Sequence, residues 1–167
     1  IEDGPAYYLP VGHAVGQNLP LQPVINYLND QLADYSETLV GANFSYDLDW
    51  LMHYGVKFPK VKWFRDVQIA DPLIYELHMR YSLDAIAQRW EVPTKDEALL
   101  RMASQEFRVD PKKEMWKLDA RYVGAYAEYD ARLPLIISRR QERVIDTDGL
   151  WQVYDLESQV LPVLVKM

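Results

Sequence analysis

The sequence has 167 residues, no cysteine and a formal net charge of −7. The length suits one domain with a full core, and the lack of cysteine excludes disulfides and thiolate metal sites. The acidic balance disfavours a free-standing protein that grips nucleic acid mainly through its phosphates. No signal peptide, membrane-spanning run or lipidation motif occurs, so we expect a cytoplasmic protein with no membrane partner.

The predicted elements alternate in the first half of the chain and are all helical in the second. The turn pair Asp3-Gly4 joins the end of one strand to a second strand at 7–11, as in a hairpin. A helix at 21–35, a strand at 38–42, a helix at 43–54 and a strand at 61–66 follow. Beyond residue 66 the apolar spacing predicts only helices, at 68–79, 83–90, 98–107, 118–144 and 150–167. The order favours an α/β fold with a small mixed sheet flanked by helices.

Several polar residues and glycines mark the predicted helix ends. Asn43 is placed to cap the helix that Gly55 stops, Asp66 to cap the next helix, and Ser82 to cap the helix at 83–90. Residues 94–97 match a capping box before the helix at 98–107. Asp110 opens a short turn.

Two patterns place side chains that suit metal chemistry on one helical face. The first is Asn43 with Asp47, and the second is Tyr126 with Asp130, each pair four residues apart. Carboxylates from two helices can converge on a divalent cation, and a nearby phenol can hold a water for attack on a phosphate. Each residue alone has a simpler interpretation: Asn43 as a cap, Tyr126 as a core residue, and the two acids as solvated groups.

These patterns lie in segments that resemble a known family. "VGANFSYDLDWLMHYGV" resembles the second motif of the DEDD-type 3′–5′ exonucleases, in the form found in family A DNA polymerases, and "YAEYD" resembles their third motif in the tyrosine subclass. Four more segments are similar to the same polymerases, in order: "DGPAYYLPVGH", "FRDVQIADPLIYEL", "YSLDAIAQRW" and "YDLESQVLPVLVKM". The resemblance implies a ribonuclease H-like fold over 1–149 and, from 150, a helix that leads into the polymerase domain.

The resemblance also implies roles at the matching positions. Asp47 and Asp130 would help to bind two Mg²⁺ or Mn²⁺ ions, and Tyr126 would orient the attacking water. Asn43 would contact the terminal nucleotide of a single-stranded DNA 3′ end. Two aromatic residues would border the frayed strand, although core packing explains them equally well: Phe44 and Tyr46.

One departure from the family limits these roles. The first family motif, Asp-x-Glu, supplies two of the four metal carboxylates and lies on a strand before the hairpin. The chain starts after that point, so we expect that it is a fragment, with roughly 15–30 residues of the domain upstream of Ile1. The fragment alone is expected to be inactive, and the polymerase domain of the same polypeptide is its expected neighbour.

Three other functions stay open. The domain could have lost catalysis and serve as a scaffold beside the polymerase, it could trim RNA, or it could be an unrelated interaction module. The other candidate groups have simpler interpretations: Asp49, Asp71 and Asp84 as surface acids, Lys112, Lys113 and Lys117 as a solvated basic cluster, and three histidines without metal-ligand spacing (His13, His53 and His78).

Overall fold

A computed structural model of the protein describes residues 4–93 and 97–167. Its helices are α1 (Leu21–Leu32), α2 (Phe44–His53), α3 (Val67–Ile74), α4 (Leu83–Arg89), α5 (Ala98–Phe107), α6 (Ala120–Thr147) and α7 (Trp151–Lys166), with a 3₁₀ turn at Met115–Lys117. The strands are β1 (Thr38–Gly41) and β2 (Trp63–Asp66). The fold is therefore mixed α/β and rich in helix. No described helix is long and apolar enough to cross a membrane.

The chain divides into two compact units. The first contains residues 4–24 and 97–132 of the described chain, and the second contains 25–93 and 133–167. Helix α6 begins in the first unit and continues into the second, so residues at its two ends belong to different cores.

The second unit is built on a β-α-β arrangement. Strands β1 and β2 are parallel and in register, with Gly41 opposite Asp66 at their carboxyl ends. Helix α2 connects them and buries Phe44 and Leu48 against Leu161 of α7. Parallel strands end at the same edge of a sheet, so the residues that follow β1 and β2 lie at one edge.

Buried Arg65 ties the last helix to this sheet. Its guanidinium lies 4.5 Å from the ring centroids of both Trp63 and Tyr154, and it donates to Ser158 Oγ at 2.8 Å. It also pairs with Asp155. A buried guanidinium needs such partners, because its desolvation is costly. The terminal helix is thus part of the second unit's core.

The first unit packs around a smaller apolar cluster. Leu100 and Ala103 of α5 lie against Leu118 and Val123, where α6 begins. Buried His13 hydrogen-bonds the carbonyl of Leu118 through Nδ1 at 2.6 Å, which fastens the segment before α1 to this cluster.

Several predicted elements are wrong or shorter in the structure. Residues 7–11 form no strand, and the described sheet has two parallel strands rather than a mixed set; the partner strand predicted at 1–2 lies outside the described residues. A strand needs a paired neighbour, and no described segment pairs with this one. Helix α3 ends at Ile74, not at 79, because Tyr75 turns to an extended backbone (φ −155°).

Some helix ends agree with their predicted signals, and others do not. Ser82 caps α4, and Gly55 follows α2 with φ +90°. Helix α5 begins and ends where the spacing predicts, but Glu97 precedes it without a capping bond, and the rest of the predicted capping box lies outside the described residues. Helix α6 continues to Thr147, three residues beyond its predicted end at 144.

Candidate active site

Asp66 organises the edge where both strands end. Its buried carboxylate accepts hydrogen bonds from the N–H of Phe44 at 2.7 Å and of Asn43 at 3.3 Å, both at the start of α2. It also accepts from the N–H of Gln68 at 2.8 Å, which caps α3 as predicted. One side chain therefore holds the first turns of two helices.

The environment of Asp66 perturbs its ionisation. Burial raises the pKa of the carboxyl above its ordinary value near 3.8, and the backbone N–H groups that donate to it oppose this rise. The N–H groups stabilise the carboxylate because they lie at helix N-termini, where the backbone dipoles favour negative charge.

Asn43 occupies the capping position of α2 in an unexpected way. Its backbone is left-handed, with φ 54° and ψ 45°, and its side chain makes no capping hydrogen bond. A side-chain cap requires an extended backbone at this position, so the predicted capping bond is wrong. The Asp66 carboxylate binds two other N–H groups at the start of the helix, those of Asn43 and Phe44, and the Asn43 side chain lies exposed at the edge of the sheet.

Asp47 is exposed in the first turn of α2. This position follows β1 at the edge where the strands of an open α/β sheet commonly present ligand-binding groups. The helix N-terminus also favours its negative charge. Asn43 lies just before this turn and Asp47 within it, and both residues are exposed.

An exposed aromatic row runs along α2 from the turn that carries Asp47. Tyr46, Trp50 and Tyr54 are 60%, 47% and 47% exposed. The rings of Trp50 and Tyr54 stack at 5.8 Å with an interplanar angle of 18°, and Tyr46 meets Trp50 edge-on at 6.3 Å. Phe44, by contrast, packs in the core, so its ring offers no exposed stacking face.

Tyr126 and Asp130 lie one turn apart on α6, in the first unit, and both are half-buried. Tyr126 packs against the cluster of Leu100 and Val123 and lines a cleft. Asp47 belongs to the second unit. Within residues 4–93 and 97–167, no three His, Asp or Glu side chains are grouped to hold a metal ion.

Asp71 is the clearest error among the predicted surface acids. It is 2% exposed and pairs with Arg89, while the indole of Trp90 donates to it at 2.7 Å and the amide of Gln141 at 3.3 Å. Its position facing α4 and α6 has no local sequence signal, because three of its partners lie 18 or more residues away. Asp49 and Asp84 are exposed, as predicted.

The three lysines of the predicted basic cluster lie in and just after the turn that Asp110 opens. The backbone N–H groups of Lys112 and Lys113 donate to Asp110 at 2.8 and 3.0 Å, which confirms the turn. Lys117 pairs with Glu114 at 2.5 Å. Lys112 alone of the three lines the cleft beside Tyr126.

The chain is similar to part of two phage proteins. It is 58% identical over 164 residues to a DNA-directed DNA polymerase of Pseudomonas phage M6, a match that covers 98% of this chain and 25% of that protein. It is 26% identical over 158 residues to the DNA polymerase DpoZ of Vibrio phage phiVC8, covering 85% of this chain and 25% of that protein. No family model matches the sequence.

These matches relate the chain to phage DNA polymerases. The chain spans about a quarter of the length of each, so it matches one segment of each of those two phage proteins. The similarity to the Pseudomonas phage protein supports a polymerase-related chain. The role of the matching segment is inferred from the residues of the candidate site.

Proposed function

We propose that the chain is most of the 3′–5′ proofreading exonuclease domain of a family A DNA polymerase from a phage. The observation that carries the proposal is the placement of Asn43 and Asp47. Asn43 lies exposed immediately before α2 and Asp47 exposed on its first turn, at the carboxyl edge of a parallel strand pair, and Asp66 holds the start of that turn. The similarity to phage polymerases supports a role beside DNA synthesis.

The donor chemistry of the site suits divalent cations. Asp47 and Asp130 offer carboxylate oxygens, the ligand type that Mg²⁺ and Mn²⁺ prefer, and the family's Asp-x-Glu pair would supply the other two carboxylates. Bound cations would lower the pKa of a water and stabilise the charge that builds at phosphorus.

The chain's own residues would bind and align the reactants. Asn43 would contact the terminal nucleotide, and the phenol of Tyr126 would hold the attacking water in line. Tyr46, Trp50 and Tyr54 present ring faces on which the unpaired bases of a frayed end can stack, and such stacking is tolerant of sequence. Hydrolysis would release a nucleoside 5′-monophosphate and leave a new 3′ hydroxyl on the strand.

The net acidic chain fits this role. Few phosphate contacts are needed near a strand end if the neighbouring polymerase domain supplies most of the grip on DNA. A scaffold role would require the same fold without metal chemistry, and RNA trimming would require preference for RNA ends. Both are decided by the same assay.

The test uses the full-length polypeptide with a 5′-labelled single-stranded DNA and Mg²⁺. We expect Asp47→Ala to abolish 3′ shortening while polymerisation on a paired primer continues. Asp49→Ala is the matched control, since Asp49 is exposed on the same helix and has no proposed role. We expect Tyr126→Phe to slow shortening and retain Mn²⁺ binding.

Three results would contradict the proposal. Wild-type protein that shortens no 3′ end would favour the scaffold. Faster shortening of RNA than of DNA would favour the trimming role. Equal loss in Asp47→Ala and Asp49→Ala, with polymerisation also lost, would point to a folding defect and remove the assigned role of Asp47.

A further inference from the structure

Residues 8–18, the segment before α1, fasten the start of α6 in the first unit. The backbone N–H of Ala14 donates to the carbonyl of Trp116 at 2.8 Å. The ring of buried His13 hydrogen-bonds the carbonyl of Leu118 at 2.6 Å. Both carbonyls lie just before the first residue of α6, so this segment fixes where the helix begins.

Gly16 brings the same segment against the residue that precedes α6. A Cβ at Gly16 would lie 2.5 Å from the carboxylate of Asp119, and the backbone is left-handed there with φ +83°, so only glycine fits. The Asp119 carboxylate accepts from the backbone N–H of Arg121 at 3.0 Å. It thereby satisfies one N–H group of the first turn of α6.

The hydrogen bonds of His13 assign the proton positions on its ring. A carbonyl oxygen can only accept, so Nδ1 carries the hydrogen that is donated to Leu118. In the neutral ring Nε2 then accepts, and the phenol of Tyr8 donates to it at 2.5 Å. Burial raises the pKa of the Tyr8 phenol, which keeps this donor protonated. Tyr8, His13 and Leu118 thus form one continuous chain of hydrogen bonds.

Tyr8 also contacts α6 one turn beyond the start of the helix. A Cβ at Gly124 would lie 3.5 Å from the Tyr8 ring, which is ordinary contact distance. Tyr8 and Tyr126 pack against the same buried cluster of the first unit. Gly124 is only two residues before Tyr126, so Tyr8 supports the turn that carries the phenol proposed to hold the attacking water.

We infer that Tyr8 and His13 are positioning residues, which hold the first turns of α6 so that the Tyr126 phenol is placed for the attacking water. Their effect on 3′ hydrolysis rests on the proposed function, whereas their effect on the place of Tyr126 rests on the contacts alone. Placement matters, because a displacement of about 1 Å in a reacting group can lower a rate about 100-fold.

The kinetic test compares Tyr8→Phe with Tyr7→Phe in the full-length polypeptide, on a 5′-labelled single-stranded DNA with Mg²⁺. Each variant loses one hydroxyl, and Tyr7 is the matched control because it is 75% exposed. We expect Tyr8→Phe to lower kcat about tenfold, part of the loss that misplacement can cause. KM should stay near the wild-type value, since Asn43 and the aromatic row proposed to bind the strand belong to the second unit. Tyr7→Phe should match the wild type.

Two further comparisons separate positioning from general support of the fold. His13→Asn keeps an amide donor for the Leu118 carbonyl, so it should retain more activity than His13→Ala. If Tyr8 acts through the Tyr126 phenol, Tyr8→Phe should cause little further loss in a Tyr126→Phe background. A full tenfold further loss there would overturn the inference.

Nuclear magnetic resonance of isotope-labelled tyrosine rings measures the place of Tyr126 without reference to activity. The Tyr126 signal is identified by its loss in Tyr126→Phe, and it should shift in Tyr8→Phe but not in Tyr7→Phe. An unshifted signal in Tyr8→Phe would overturn the inference even if 3′ shortening is intact. Wild-type protein that shortens no 3′ end would instead refute the proposed function, and a shifted signal would then still support the placement of Tyr126 by Tyr8.

Discussion

Replacing Asp66 with alanine should loosen the start of α2 and thereby the proposed active site. The variant loses the cap of α3, which costs about 0.5–2 kcal/mol. It also leaves the buried N–H of Phe44 without its 2.7 Å partner, which costs about 1–3 kcal/mol. Together, about 1.5–5 kcal/mol of local stability should be lost, and this equals roughly ten- to several-thousand-fold in an opening equilibrium.

Native-state hydrogen exchange of the full-length polypeptide measures this change directly. Amides of α2 and α3 should exchange faster in Asp66→Ala by that factor, and less so in Asp66→Asn, which keeps one acceptor oxygen. Asp30→Ala is a suitable control, because Asp30 is exposed on α1. Unchanged exchange in α2 would refute the assignment of Asp66 as the group that holds both helix starts.

Three further outcomes test other parts of the account. Trp50→Ala should weaken single-stranded DNA binding in a fluorescence titration by ~1–3 kcal/mol, the contribution of one stacked base. Tyr27 is an exposed aromatic residue on α1, and Tyr27→Ala should bind the DNA like the wild type. Equal binding by the two variants would remove the stacking role of Trp50. Gly41→Ala should destabilise the second unit in thermal melts, since a Cβ there would lie 2.7 Å from the Phe44 ring, and an unchanged melting temperature would contradict that packing. Because burial raises the pKa of Asp66, its protonated form is favoured in the folded state, so the wild type should lose stability as pH rises from about 3.8 through the raised pKa. Melts of Asp66→Asn over the same pH range should lack this loss, and parallel pH profiles would count against the perturbed carboxyl.

The sequence predicted most of the helices because their signals are local. Helix α5 carries apolar residues at helical spacing, and the observed bounds, Ala98–Phe107, agree with the prediction. The cap at Ser82 and the stop at Gly55 depend on neighbouring residues alone, and both are confirmed. The β-α-β order around α2 was readable for the same reason.

The errors concern groups whose partners are distant in sequence. The pairing of a strand at 7–11 depends on another segment, and the pattern alone could not show that none of the described residues provides it. Asp71 reads as an ordinary helical acid until Arg89 and Gln141 meet it across three helices. Asp66 was recognisable as the cap of α3, but its bonds to α2 follow from the register that sets it opposite Gly41.

Only those features of the candidate site that lie within a single helical turn could be predicted from the sequence. Tyr126 and Asp130 lie four residues apart within α6, as helix geometry predicts, whereas Asn43 precedes α2 with a left-handed backbone and Asp47 alone of that pair lies on the helix. The aromatic row of Trp50 and its neighbours was missed, although its spacing of four residues was available as a signal. Of the two aromatic residues predicted either to stack on DNA or to pack in the core, Phe44 is buried and Tyr46 is exposed. No local sequence pattern could have distinguished these two outcomes.

The proposed function assigns a role in the hydrolysis of DNA 3′ ends to Asp47 and to Asp130. The most direct measurement is the ratio of 3′ shortening to polymerisation for Asp130→Ala in the full-length polypeptide, on a 5′-labelled primer with a mismatched end. The account predicts that shortening falls to background while extension of a matched primer stays near the wild-type rate. If Asp130→Ala shortens the mismatched end at the wild-type rate, the account is contradicted.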